Sequence, residues 1–168
     1  MHKFVEIAPE EWEANAFQKI GRDWMLITAG DRRSVNTMTA SWGGLGVLWN
    51  ANVCFAFVRP TRYTYEFMER EDTFSLSFFD RGYRQALQLC GRVSGRDRDK
   101  IAEAGLTVCH DERAPYFAEA ETVLVCRKIY VQDLDPAHFL DPTIATHYTD
   151  DYHRVYVGEI VKVLRRAD

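Results

Sequence analysis

The chain reads as mainly β with short α insertions, a single antiparallel barrel, and three observations carry that reading. Strand-type segments outnumber helical ones: 24–29, 53–58, 73–79, 123–131 and 154–163 are rich in β-branched and aromatic residues. Helices do not alternate regularly with them, which disfavours a doubly wound parallel sheet. No Gly-x-Gly-x-x-Gly opens a helix after a strand. The nearest candidate, Gly43-Gly44-Leu45-Gly46, runs straight into Val47-Leu48-Trp49. An antiparallel barrel accommodates five or more such strands and removes their exposed edges.

The elements follow in order. Residues 9–16 open with Pro9, Glu10 and Glu11, a normal first helical turn. Strand 24–29 leads to Asn36-Thr37-Met38-Thr39-Ala40-Ser41-Trp42-Gly43-Gly44, then an apolar strand, the polar turn Asn50-Ala51-Asn52 and strand 53–58. This is a hairpin pattern centred near Ala51, which sets residue 41 roughly opposite residue 61, one strand spacing (about 4.8 Å) away. Pro60 suits a helix start and Thr61 a cap, so 62–69 reads as a short helix with Tyr63 and Phe67 paired at i, i+4. Along 73–79, Phe74, Leu76 and Phe78 oppose Ser75 and Ser77, as in a half-buried strand. Residues 82–90 put Tyr83, Leu87 and Cys90 on one helical face, and 99–104 stops at Gly105, a natural C′ residue. Nothing repeats and no linker divides the 168 residues, so residues 1–168 are expected to form one domain.

Composition excludes several function classes. A net charge of −4 with Lys and Arg dispersed argues against a nucleic-acid partner. The start Met1-His2-Lys3-Phe4-Val5-Glu6 is interrupted by charge too early for a secretory h-region to be expected, and no apolar run approaches the roughly 20 residues of a membrane span. Cys54, Cys90, Cys109 and Cys126 are widely spaced, which suits reduced thiols better than a disulfide or zinc framework. A cytoplasmic protein is the expectation.

The hydroxyls of Thr37, Thr39 and Ser41 are expected to face Arg59, Arg62 and Thr64 across the open end of the hairpin. Helix-start N–H groups and forked guanidiniums suit a phosphate. An ordinary strand-to-helix turn with solvated arginines fits the same spacing. Lys100 begins a helix, where its charge opposes the dipole; a phosphate partner or plain solvation accounts for it. His147, Tyr148, Tyr152 and His153 cluster ahead of the last strand. His153 is the candidate catalytic residue, an imidazole able to orient a ligand or steady a developing charge, with a solvent-facing loop histidine as the alternative. Gly158 in the strand after it permits close backbone approach. Asp150-Asp151 reads as a solvated pair, Trp12, Trp24 and Trp49 as core or interface. His2, His110 and His138 show no metal-ligand spacing.

Four segments in sequence carry a resemblance: Asn36–Gly44, residues 58–67 (Val-Arg-Pro-Thr-Arg-Tyr-Thr-Tyr-Glu-Phe), 74–79 (Phe-Ser-Leu-Ser-Phe-Phe) and 90–100 (Cys-Gly-Arg-Val-Ser-Gly-Arg-Asp-Arg-Asp-Lys). With Val157-Gly158-Glu159-Ile160, they make the chain resemble the flavin reductase-like family of FMN-binding split barrels, particularly its flavoredoxin-like branch. The resemblance implies a six-stranded antiparallel split barrel of Greek-key type, a homodimer, and FMN near the dimer interface. By motif position, Met38, Thr39, Ala40, Ser41 and Trp42 would line the isoalloxazine. Arg59, Arg62 and Thr64 would hold the phosphate with Lys100 reaching in, and Phe78 and Phe79 would pack along the cofactor. The implied activity is passage of electrons from NADH or NADPH through FMN to free flavin or another acceptor, largely by placement of the two rings. A flavoredoxin-like electron carrier without efficient NAD(P)H oxidation is the alternative. A haem-type binding module is a third reading, disfavoured because haem also wants a suitably placed axial ligand.

Overall fold

The computed structural model describes residues 3–167, so His2 lies outside the described residues. The strands are β1 (Phe4–Ile7), β2 (Met25–Gly30), β3 (Val35–Ala40), β4 (Gly43–Leu48), β5 (Ala51–Val58), β6 (Thr73–Phe78), β7 (Val108–Cys109), β8 (Tyr116–Phe117), β9 (Thr122–Asp133) and β10 (Arg154–Arg166). The helices are α1 (Tyr63–Arg70), α2 (Arg84–Arg92) and the single turn α3 (Lys100–Glu103). The main sheet runs β3-β2-β6-β9-β10-β5-β4, every neighbour antiparallel, and β1 adds to β10 beyond the reach of β5. The mainly β antiparallel fold is as expected. Eight strands join it rather than six, because Phe4–Ile7 also pairs and the run 35–48 is broken into two strands.

That break shapes the barrel. β3 and β4 end the hydrogen-bonded path on opposite sides, yet only Ser41 and Trp42 separate them along the chain. The barrel is therefore closed there by two covalently linked residues, without a ladder. β10 bends around the interior through a register shift at Gly158, where a Cβ would come within 2.6 Å of Phe74 Cζ and 3.0 Å of Cys126 Cβ.

Two apolar layers result. Met25, Ile27, Met38, Phe74, Leu76, Phe78 and Tyr156 fill the interior. Leu26, Phe79, Leu87, Cys90, Phe117, Val123 and Val125 form a second cluster outside it, beneath α2 and the 106–120 excursion. Burial on both faces corrects the half-buried reading of 73–79: Ser75 is fully buried and donates to Pro115 O.

Local expectations met three further corrections. The hairpin turn is Trp49-Asn50, both at positive φ (51° and 57°), so Leu48 pairs with Ala51 and Gly43 with Ala56. A two-residue turn of this mirror-image kind matches strand twist. It brings the register of residue 41 to Val58 and not to Thr61. Helix α1 is where 62–69 was expected, with Tyr63 and Phe67 edge-to-face at 5.0 Å, but its cap position is Arg62, with no side-chain bond. Residues 9–16 form only a 3-10 turn at Pro9–Glu11, and a π-helix at Phe17–Asp23 takes over.

Candidate functional site

The seam between β3 and β4 opens on a cavity of about 180 Å³ lined by Met38, Thr39, Ala40, Ser41, Trp42, Phe57, Arg59, Arg62 and His153. Eight of those nine are residues that sequence reasoning selected; it missed Phe57. Phe57 faces the seam because β5 pairs with β10 in the register Phe57↔Val155, beside His153. Strand alternation in 53–58 was the signal that could have found it.

Each wall has a local cause. Met38 and Ala40 turn into the barrel interior, whereas Thr39 faces α2 and donates its hydroxyl to Leu87 O. Ser41 is exposed at the bend, and Trp42 is 46% exposed with its indole between two imidazoles, 5.3 Å from the rings of both His147 and His153. Arg62, at the cap position of α1, donates to Gly91 O at 3.1 Å. Burial, reinforced by the charge of Arg59, lowers its pKa below the usual guanidinium value.

Arg59 has a different occupation. Its guanidinium pairs with Asp151 at 2.8 Å, donates to His147 O at 2.9 Å and lies 4.8 Å over the Tyr148 ring. One side chain thereby clasps the segment 147–151 onto the mouth of the cavity, and Asp151 is an ion-pair partner rather than a solvated acid. His153 is buried, with its Nδ1 2.7 Å from the Tyr148 hydroxyl. Desolvation, with the nearby Arg59 charge, pushes its pKa down to about 4, so it is neutral at physiological pH. It is therefore not the solvent-facing loop histidine of the alternative reading.

Five expected residues lie away from this cavity. Thr37 is fully buried, bonded to the Thr28 hydroxyl at 2.9 Å and to Ile27 O at 3.0 Å. Thr64 is buried and accepts from Asn36 Nδ2 at 2.8 Å. Lys100 is buried under α2, donating to Cys90 O and Val93 O, each at 2.9 Å. Burial and the Arg62 charge push its pKa down to about 8. Phe78 belongs to the barrel interior against Trp12, and Phe79 to the outer cluster beside Tyr83 and Phe117. The picture of one cradle holding Thr37, Arg59, Thr64 and Lys100 together is thus corrected. Thr37, Thr64 and Lys100 satisfy groups of the fold, and Arg59 fastens a loop.

The family model described as the flavin reductase-like domain matches residues 17–168. The chain belongs to the flavin reductase-like family. No curated protein matches it. Among solved structures, it is similar to the FMN-binding domain of a flavin reductases-like enzyme from Shewanella baltica, with a TM-score of 0.71 and 16% identity over 98% of this chain and 78% of that one. Flavoredoxin from Methanosarcina acetivorans gives a TM-score of 0.68 and 22% identity over 95% and 73%. The NADH:FAD oxidoreductase SgcE6 of Streptomyces globisporus gives 0.63 and 17% over 85% and 75%. At these identities the likeness establishes the shared fold. Among the described residues, no helix is long and apolar enough to cross a membrane.

Proposed function

We propose that the protein binds FMN at the β3–β4 seam and acts as an NADH- or NADPH-dependent flavin reductase. The observation that supports this reading is the convergence of the 38–42 strand end, Arg62 and His153 on one cavity. The donor set fits the cofactor. Trp42 and Phe57 offer flat apolar walls, Ser41 brings an exposed hydroxyl, and the forked donors of Arg62 suit a phosphate. When bound, FMN supplies a ring that accepts a hydride and passes electrons on. The chain's own residues bind and orient. Arg62 holds the anionic end, the 38–42 backbone aligns the ring, and neutral His153, steadied by Tyr148, presents an uncharged imidazole at the cavity wall. A clasped 147–151 segment excludes water from that wall.

A cavity of about 180 Å³ is smaller than the roughly 300 Å³ at which ligand sites usually begin. Trp42 at the cavity and Val47 and Trp49 farther along the β4 hairpin stand 46%, 72% and 62% exposed. A second copy of this chain covering that face would complete the site and remove the apolar patch from water, so we assign the protein as a homodimer with FMN near the interface.

Anaerobic titration of the FMN-loaded protein with NADH and with NADPH tests the reading. Bleaching of the flavin band by either is expected. Bleaching only by a reduced ferredoxin would make the protein an electron carrier of the flavoredoxin kind. A preparation that takes up no FMN defeats both.

A further inference from the structure

We infer that a second ligand site lies on the outer face of the barrel: the cleft between the π-helix and α2 takes a small molecule with an oxyanion on an apolar, ring-bearing body. The cleft encloses about 510 Å³, larger than the seam cavity, and shares none of its lining residues with it. Its floor is Phe79 and Leu87; its rim carries Arg22, Arg81 and Arg84.

Charge is distributed unevenly there. Of the acids lining the cleft, Glu121 pairs with Lys19 at 2.9 Å and Asp80 with Arg166 at 3.3 Å. Asp23 lies 3.9 Å from Lys19 and accepts from Gln18 at 2.9 Å. Among the described residues, neither Arg22 nor Arg81 forms an ion pair, and Arg84 donates only to the carbonyls of Arg22 and Asp23, at 2.7 and 3.3 Å. Three guanidiniums without a carboxylate therefore gather over an apolar floor in a chain whose net charge is −4. Forked guanidinium donors match carboxylate and phosphate oxygens, and a ring suits the face of Phe79.

The backbone beside the cleft is costly to maintain. Trp24 ends the π-helix at φ 69°, ψ 169°, a strained region otherwise almost confined to glycine. Arg84 holds it there, stacked 3.2 Å from the indole centroid while gripping the two preceding carbonyls. π-Helices and strained residues concentrate at functional sites. The floor is also one hydrogen bond from the seam, through Thr39 and Leu87 O.

Titration of the ¹⁵N-labelled protein, with FMN present, by benzoate, phenyl phosphate and uncharged benzyl alcohol tests this. Trp24→Phe identifies the Trp24 indole among the four tryptophan signals. Benzoate or phenyl phosphate, or both, should shift that indole saturably, and benzyl alcohol should bind at least tenfold more weakly. The stronger of the two anions tells a carboxylate site from a phosphate site. Arg22→Gln with Arg81→Gln, both exposed side chains, should weaken anion binding at least tenfold with an unchanged melting temperature. Equal binding of all three probes, an unaltered affinity in the double variant, or saturable shifts confined to the Trp42 indole would each overturn the proposal. Arg81→Gln alone, with a smaller loss expected, serves if the double variant is unstable; no loss there overturns it too.

Discussion

The seam cavity and the pocket of polar groups beneath α2 are built from the same chemistry, cations beside hydroxyls, yet they do different work. At the seam, Arg62 and Ser41 stand at a wall open to a ligand, on a backbone whose ladder has ended. Beneath α2, Lys100 ties off Cys90 O and Val93 O, and between β3 and α1 Thr64 accepts from Asn36. A charged side chain becomes available to a ligand where the surrounding backbone leaves some of its donors unused: Arg62 gives one to Gly91 O, whereas buried Lys100 gives two of its three to carbonyls.

The comparison breaks most readily at Lys100. Lys100→Met leaves two buried carbonyls without a donor and should lower stability by about 2 kcal/mol, read as a denaturation midpoint. It should affect FMN affinity less than Arg62→Ala does. Because its pKa is held down to about 8 from an ordinary 10.5, the unfolded chain binds the proton more tightly. Stability should therefore rise as pH climbs from 8 to 10.5, and Lys100→Met should flatten that rise. Arg62→Ala should cost roughly tenfold or more in FMN affinity and spare riboflavin, since a charge-assisted bond is worth about 1.5–3 kcal/mol. Equal losses for the two flavins would put the phosphate elsewhere.

Smaller effects sharpen the same contrast. Thr64→Val strands the Asn36 amide and should cost about 1 kcal/mol of stability without changing FMN affinity. His153 ought to contribute a pH dependence of its own. With a folded pKa of about 4 against an ordinary 6.5, stability is full above pH 6.5 and falls as pH drops through 4. His153→Asn should remove that slope in acid melting curves. Asp151→Asn, the smallest change, loosens the clasp on the segment 147–151. A loss of about 1 kcal/mol or less is expected, with faster amide exchange confined to that segment.

Much of this architecture is legible in the sequence because period and turn chemistry are local. The strands around Ile27, Phe55, Leu76, Leu124 and Val157 announce themselves, as do α1 and the Gly105 stop, where φ is 69°. So does the seam, since Thr39, Ser41, Trp42 and Arg62 sit at the ends of elements. What escaped depends on distant partners. Trp49 adopts a positive φ that its residue type does not advertise, and that choice moved the hairpin register by three residues. Thr64 and Lys100 look like ligands until Asn36 and the end of α2 are seen beside them. Arg59 lines the seam as its position suggests, but its ion pair with Asp151, ninety-two residues on, is invisible in the local sequence.

The covalent join at Ser41-Trp42 has one more consequence. Elsewhere, prising the wall apart means rupturing a ladder of inter-strand bonds; here it needs only rotation about a few torsions. A bulky planar guest could thus be admitted or released with the remaining strand pairs intact, as a purse opens at its clip while the stitching holds.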